Sequence, residues 1–258
     1  MHRPRGARGL ALRASLTLVT ALAPAFISVA EAAAATAGPG PSATLAGPGG
    51  LTAHATSANW SGYVASGAAF TNVTGTFTVP AIGRYVAGTT VSEWVGIDGW
   101  SDSTLIQAGV NEIPLGEGTA MVEPWWEVLP APEQLASGVM ARAGQQITVT
   151  ITQLTPGTWS ISLRDDSNGD EFNTRQLYAG TLQSAEWIVE ADNTSDGKPT
   201  SLAPYKPSVS FTGLALTGRR TGLTQLQMQQ SGNAVSTPSA LAEQGFNVTY
   251  GAHAPPAP

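Results

Sequence analysis

The chain of 258 residues contains no cysteine, which removes both disulfides and thiol chemistry. Histidine is almost as scarce. His2 and His253 lie near the two ends and His54 stands just ahead of the first core strand, so none falls between Ala55 and Ala252. A Ser-His-Asp triad needs an imidazole in that interval, and a structural zinc site needs Cys/His clusters; both are excluded. Charge is thin, with 12 % charged residues and only two lysines, Lys198 and Lys206. Twelve basic residues face 18 acidic ones, for a formal charge of −6. Nucleic acid and anionic membranes both require basic surface, so neither is an expected partner. Carboxylates are left with few chemical competitors.

The N-terminus reads as an export signal over residues 1–32. Arg3, Arg5, Arg8 and Arg13 precede an apolar, alanine-rich stretch from Ala14 to Ala30, and Ala30-Glu31-Ala32 fits a small-x-small cleavage pattern. Pro24 and the weak hydrophobicity of alanine argue against a retained anchor. Residues 33–54 are rich in Gly and Pro without periodicity and read as a flexible leader or propeptide. Residues 55–251 form the expected domain, and 252–258 a frayed tail. The product is expected to be secreted, extracellular, free of membrane and monomeric. Removing four arginines and one glutamate with the signal takes the formal charge from −6 to −9. A chain with so few cations suffers little self-repulsion once its carboxylates are protonated, which suits an acidic habitat.

The domain reads as strands throughout: Val73–Val79, Thr90–Ile97, Thr104–Val110, Ala120–Val128, Gln146–Thr152, Thr158–Leu163, Ser184–Glu190, Ser208–Leu216, Leu223–Met228 and Gly245–Tyr250. Each is short, rich in Val, Ile, Thr, Trp or Phe, and bounded by Gly, Pro, Asn or Asp. Gln146–Thr152 alternates Ile147, Val149 and Ile151 with threonines. Asp165–Asp170 and Asn193–Gly197 are turns by composition; a calcium loop at the former lacks EF-hand spacing. No segment carries helical periodicity. The pattern predicts an all-β, antiparallel sandwich or barrel.

Within Ser184–Glu190 (SAEWIVE), Glu186 sits in a run that otherwise reads as buried strand. Burial disfavours an ionised carboxylate, so such a residue is either functional or half of a structural pair, with Arg164 or Arg175 as partners. Other polar residues are embedded in tryptophan-bearing strands: NWSGYV at Asn59, EWVGIDG at Glu93, QAG at Gln107 and EPWWE at Glu123. The order and wording of NWSGYV, WVGIDG, QAG and SAEWIVE resemble the eqolisins, the family of secreted glutamic peptidases first described from fungi. The resemblance spans about Ala58 to Tyr250. It implies a lectin-like sandwich of two antiparallel, roughly seven-stranded sheets. It also implies a catalytic dyad of Gln107 and Glu186, with Trp94, Asp98, Trp125 and Glu127 as cleft tryptophans and acidic support. No metal or cofactor is implied, and the expected substrates are polypeptides. The loop from Asp98 to Gln107 is slightly shorter than the fungal pattern and carries Trp100.

The chemistry is coherent with acid. Histidine, with an unperturbed pKa of about 6.5, is protonated there, whereas a glutamate of about 4.3 can still accept a proton from water. An amide does not titrate and can donate to an oxyanion at any pH. Two alternatives remain open. In a glycosidase, Glu186 and Glu190 stand about 13 Å apart along a strand, too far for a carboxylate pair, but Glu127 with Glu186 is not excluded. In a carbohydrate-binding module the tryptophans would stack on sugars and neither Gln107 nor Glu186 would be needed. Glu190, on the same strand face as Glu186, reads as a structural carboxylate.

Overall fold

The computed structural model describes residues 43–44, 52–193, 198–243 and 245–258. The expected signal at 1–32, most of the leader at 33–54 and most of the turn at 193–197 lie outside them. Among the described residues there is no helix, and none long and apolar enough to cross a membrane.

The strands are β1 (Ala43–Thr44), β2 (Thr52–Ser57), β3 (Trp60–Thr78), β4 (Ala81–Ile82), β5 (Thr89–Ile97), β6 (Ile106–Gly116), β7 (Thr119–Val128), β8 (Gln134–Leu135) and β9 (Gln146–Thr155). They continue with β10 (Thr158–Asp165), β11 (Glu171–Leu177), β12 (Ser184–Glu190), β13 (Ser201–Leu202), β14 (Tyr205–Lys206), β15 (Val209–Gln230), β16 (Asn233–Pro238) and β17 (Gly245–Tyr250). β2 therefore begins within the stretch read as leader. The all-β expectation holds, and β12 and β17 keep the bounds read from the sequence. The tail at 252–258 forms no strand, although Asn247 Nδ2 donates to the Pro256 carbonyl at 2.9 Å.

Two separate sheets were expected, but the hydrogen bonding links 15 strands into one continuous ladder, and β4 and β14 form a small separate pair. The reason lies in β3 and β15. Trp60–Ser66 of β3 pairs with β12, whereas Asn72–Thr78 pairs with β9. β15 follows β3 along both halves, with bulges between Thr212 and Ala215, Thr217 and Arg219, and Arg220 and Gly222. Bulges bend a strand and increase its twist, so two long strands can serve both halves of the ladder without breaking. All the pairings are antiparallel except β2 with β15 and β13 with β5.

The main core is built from inward-alternating residues of these strands. Tyr63, Phe77, Val95, Ile106, Ile147, Ile161, Trp159, Trp187, Phe211 and Phe246 are all buried within it. Phe211 stacks on Phe246 at 4.9 Å between ring centroids. A second, smaller cluster forms on the opposite face of β3, β12, β5, β6 and β7: Trp60, Val64, Trp94, Leu105, Trp125, Ile188 and Leu226. That second face carries the candidate site.

Candidate active site

Register alone assembles the site. Val64 of β3, Glu186 of β12, Gly96 of β5, Gln107 of β6 and Glu127 of β7 stand directly opposite one another in one transverse row. Opposed residues of neighbouring strands project to the same face. Glu186 and Gln107 are thus two strand spacings apart, about 9.6 Å at the backbone, and only glycine stands between them. A Cβ added at Gly96 would lie 3.0 Å from the Trp94 ring and 3.2 Å from Gln107 Cβ. Any larger residue there would force the amide and the aromatic ring aside.

The next row on this face is Gly62, Ile188, Trp94, Gly109 and Trp125, and the one beyond is Trp60, Glu190, Ser92, Asn111 and Glu123. Gly109 allows close approach: a Cβ there would lie 2.1 Å from the Glu93 carbonyl oxygen and 2.6 Å from Trp94 Cβ. Trp60 and Trp94 meet edge to face at 4.9 Å. Glu190 accepts from Asn59 Nδ2 and from Trp94 Nε1, both at 2.8 Å, in keeping with its reading as a structural carboxylate that fixes the Trp94 ring.

Gln107 Nε2 donates to Glu127 Oε2 at 2.8 Å, which sets the orientation of the amide. Glu186 is fully buried, and neither of its oxygens has a hydrogen-bond partner of ordinary geometry. Gln107 Oε1, Glu127 Oε1 and Trp125 Nε1 are buried and unpartnered as well. Such a concentration of orphaned polar atoms is costly in a structural core and usual at a site where chemistry occurs. Burial drives the proton affinity of Glu186 well up; the Ser184 hydroxyl opposes this, and the charges of Asp98 and Asp102 add to it. Burial also raises Glu127, against the pull of the Gln107 amide. The structural pairing of Glu186 with arginine does not occur. Arg164 pairs with Asp166 at 3.0 Å, and Arg175 lies on β11, four strands from β12.

Asp98 was expected at the substrate cleft, but the structure commits its carboxylate to one loop. It accepts from Tyr178 OH (2.6 Å), Leu182 N (2.8 Å), Thr181 Oγ1 (3.0 Å) and Gln183 N (2.8 Å). This loop leads straight into β12, so Asp98 anchors the approach to Glu186. A Cβ at Gly180 would fall 2.1 Å from Tyr178 OH and 2.2 Å from Asp98 Oδ2, so only glycine lets the loop wrap this closely. The same Thr181 Oγ1 lies 2.6 Å from Asp102 Oδ2, so its one proton is shared between the two carboxylates. Tyr178, Thr181 and Asp102 escaped the sequence reading. Some 80 residues separate them from their partners, and no local pattern advertises the contact.

The sequence and the fold both have known counterparts. The model of the Peptidase A4 family matches residues 58–250. Aspergillopepsin-2 of Aspergillus niger is 27 % identical, over 75 % of this chain and 78 % of that protein. Scytalidopepsin B of Scytalidium lignicola is 29 % identical, over 67 % and 69 % respectively. Among solved structures, scytalido-glutamic peptidase with a transition state analog inhibitor superposes with a TM-score of 0.67 at 22 % identity, covering 75 % of this chain and 98 % of that one. Aspergilloglutamic peptidase from Aspergillus niger gives 0.51 at 25 % identity, covering 62 % and 98 %. With three quarters of its length matched by one family model, and with that family's fold, the chain belongs to the Peptidase A4 family and is a glutamic endopeptidase of the eqolisin type.

Proposed function

We propose that this glutamic endopeptidase is secreted, works in acid, and hydrolyses extended polypeptides with Glu186 and Gln107 as its dyad. The observation that carries the reading is the transverse row Glu186–Gly96–Gln107–Glu127, which puts a carboxyl and an oriented amide on one face with a side-chain-free strand between them. Glu186, ionised in the working state, takes a proton from water as the water attacks the peptide carbonyl. The same carboxyl then returns the proton to the leaving nitrogen. Gln107 has one N–H held by Glu127, and its second N–H is available to the oxyanion of the tetrahedral intermediate. Trp94 and Trp125 flank the row and shape the cleft. Asp98 holds the loop into β12 and acts by positioning. Export rests on the basic and apolar N-terminal sequence, and no cofactor enters the chemistry. We also infer that β3 and β15 cross between two layers, which would recover a sandwich of about seven strands on each side.

A glycosidase pairing of Glu127 with Glu186 is disfavoured, because three strand spacings, about 14 Å at the backbone, separate them with Gln107 in the path. The test is hydrolysis of an acid-denatured protein from pH 2 to 8 by the native chain, Glu186→Gln and Gln107→Ala. The native chain is expected to cleave only in acid. Glu186→Gln should lose activity altogether, and Gln107→Ala should lose about 100- to 1,000-fold in kcat, as for removal of an oxyanion donor. Near-native cleavage by either variant rejects the dyad.

A further inference from the structure

The loop Gly99–Leu105 between β5 and β6 is not accounted for by the dyad, yet it packs on the apolar cluster beside Glu186. Glu186 has no exposed surface, so a peptide bond cannot reach it in this arrangement. Leu105 is buried in the apolar cluster with Val64 and Ile188, which are the in-row and along-strand neighbours of Glu186, and Trp100 packs against the same cluster. Gly99 rests with a would-be Cβ 3.2 Å from Leu105 Cδ1 and 3.4 Å from the Trp60 ring. The loop leaves β5 through two residues in the left-handed region, Asp98 (φ 71) and Gly99 (φ 98), a natural place for a change of direction. At its other end Asp102 is fixed twice over. It accepts from Thr104 N at 2.8 Å and from the Thr104 hydroxyl, and it accepts from Thr181 Oγ1 on the loop that leads into β12. The Thr181–Asp102 bond is exposed, whereas the bonds of Asp98 beneath it are buried or part-buried. One solvent-accessible hydrogen bond, with the inner contact of Thr104 and the Tyr178 hydroxyl, therefore ties the covering loop to the 178–183 loop that leads into β12.

We propose that residues 99–105 form a gate over Glu186, that Thr181 and Asp102 are its latch, and that Trp100 is the gate residue that swings clear to face the substrate. This rests on the dyad reading given above. The asymmetry of the anchorage supports it. Asp98 would keep its four bonds to the 178–183 loop while the segment beyond Gly99 moved, so the gate can open without disturbing β12. A closed form that cannot bind substrate lowers apparent affinity by the fraction of molecules that are open. Weakening the latch should therefore improve turnover at low substrate.

The absence of cysteine makes a clean test available, since any introduced thiols are the only ones in the chain. Asp102→Cys/Thr181→Cys is joined by oxidation or by a short bis-thiol alkylating reagent, with the link verified by mass. Linked enzyme is expected to lose at least tenfold in kcat/KM on a protein substrate in acid, and reduction of the disulfide form should restore it. In parallel, Asp102→Ala, which leaves the Thr181–Asp98 bond in place, is expected to raise kcat/KM about two- to fivefold through KM, with unchanged kcat at the pH optimum of each enzyme. It should also increase acrylamide quenching of tryptophan fluorescence as Trp100 leaves its seat. Linked enzyme as active as unlinked, or Asp102→Ala with unaltered KM and quenching, overturns the gate. An inactive native chain, or an active Glu186→Gln, would instead overturn the dyad.

Discussion

At the scale of single residues, what distinguishes this site is how little it uses. One carboxyl is held in a fully buried position with no hydrogen bond of ordinary geometry, and one amide is aimed by the single bond it donates to Glu127. Glu127 touches no reacting atom in the mechanism above; it decides which way round the Gln107 amide sits. Losing it frees the amide to rotate, so Glu127→Ala should lower kcat about tenfold and leave KM nearly unchanged. Glu127→Gln keeps an acceptor oxygen and should recover most of that loss. Steady-state kinetics on the purified variants separate this from a structural defect, which would not be rescued by the amide. The sequence suggested that Glu186 would operate near an ordinary glutamate pKa, whereas burial drives it well above. A neutral Glu186 cannot act as a base, so the proposed mechanism requires water to enter the site before its ionised form is available.

At the scale of strands, the site depends on glycines as much as on its polar groups. Gly109 brings β6 against the β5 backbone under Trp94. Gly109→Ala is expected to cost roughly 1–3 kcal/mol by overpacking, with activity falling alongside. Gly116→Ala is the control, because nothing lies within 4 Å of its would-be Cβ. Thermal unfolding of the two variants in acid reads the difference directly. The strands that the sequence revealed were those with clean alternation or a tryptophan. It hid others for identifiable reasons. Glu171–Leu177 is polar at almost every position and survives as β11 only through its pairing with β10. The Thr-Gly-Arg-Arg-Thr-Gly run at 217–222 looks like a turn, yet β15 continues through it as bulged strand because β3 runs alongside. The strands that bear Glu186 and Gln107 were legible because they carry family wording. The Asp98–Tyr178–Thr181–Asp102 cluster was not, since it exists only after distant loops meet.

At the scale of the whole molecule, several carboxyls besides Glu186 are buried away from water. Glu93 and Glu112 both face inward, are essentially without exposure, and interact with each other and with Asp192. Burial pushes Glu93 up to about 8, raises Glu112 well above its ordinary value and lifts Asp192 to about 6. The native state thus holds protons that the unfolded chain releases near 4.5. Stability is fully present below that pH and declines as pH rises from 4.5 towards about 8, where the native carboxyls finally ionise. Denaturation midpoints measured from pH 3 to 8 should fall steadily across this window, and Glu112→Gln should flatten the decline. A midpoint constant from pH 4 to 7 would contradict it.

The transverse row has one more consequence. Its members come from β12, β5, β6 and β7, whose sequence positions run from Gly96 to Glu186, and they meet only when all four strands have found register. A partly assembled chain therefore lacks the row, and a slip of one residue anywhere among these strands would turn one of its side chains to the wrong side. On the dyad proposed above, cleavage arrives last, as a property of the finished ladder.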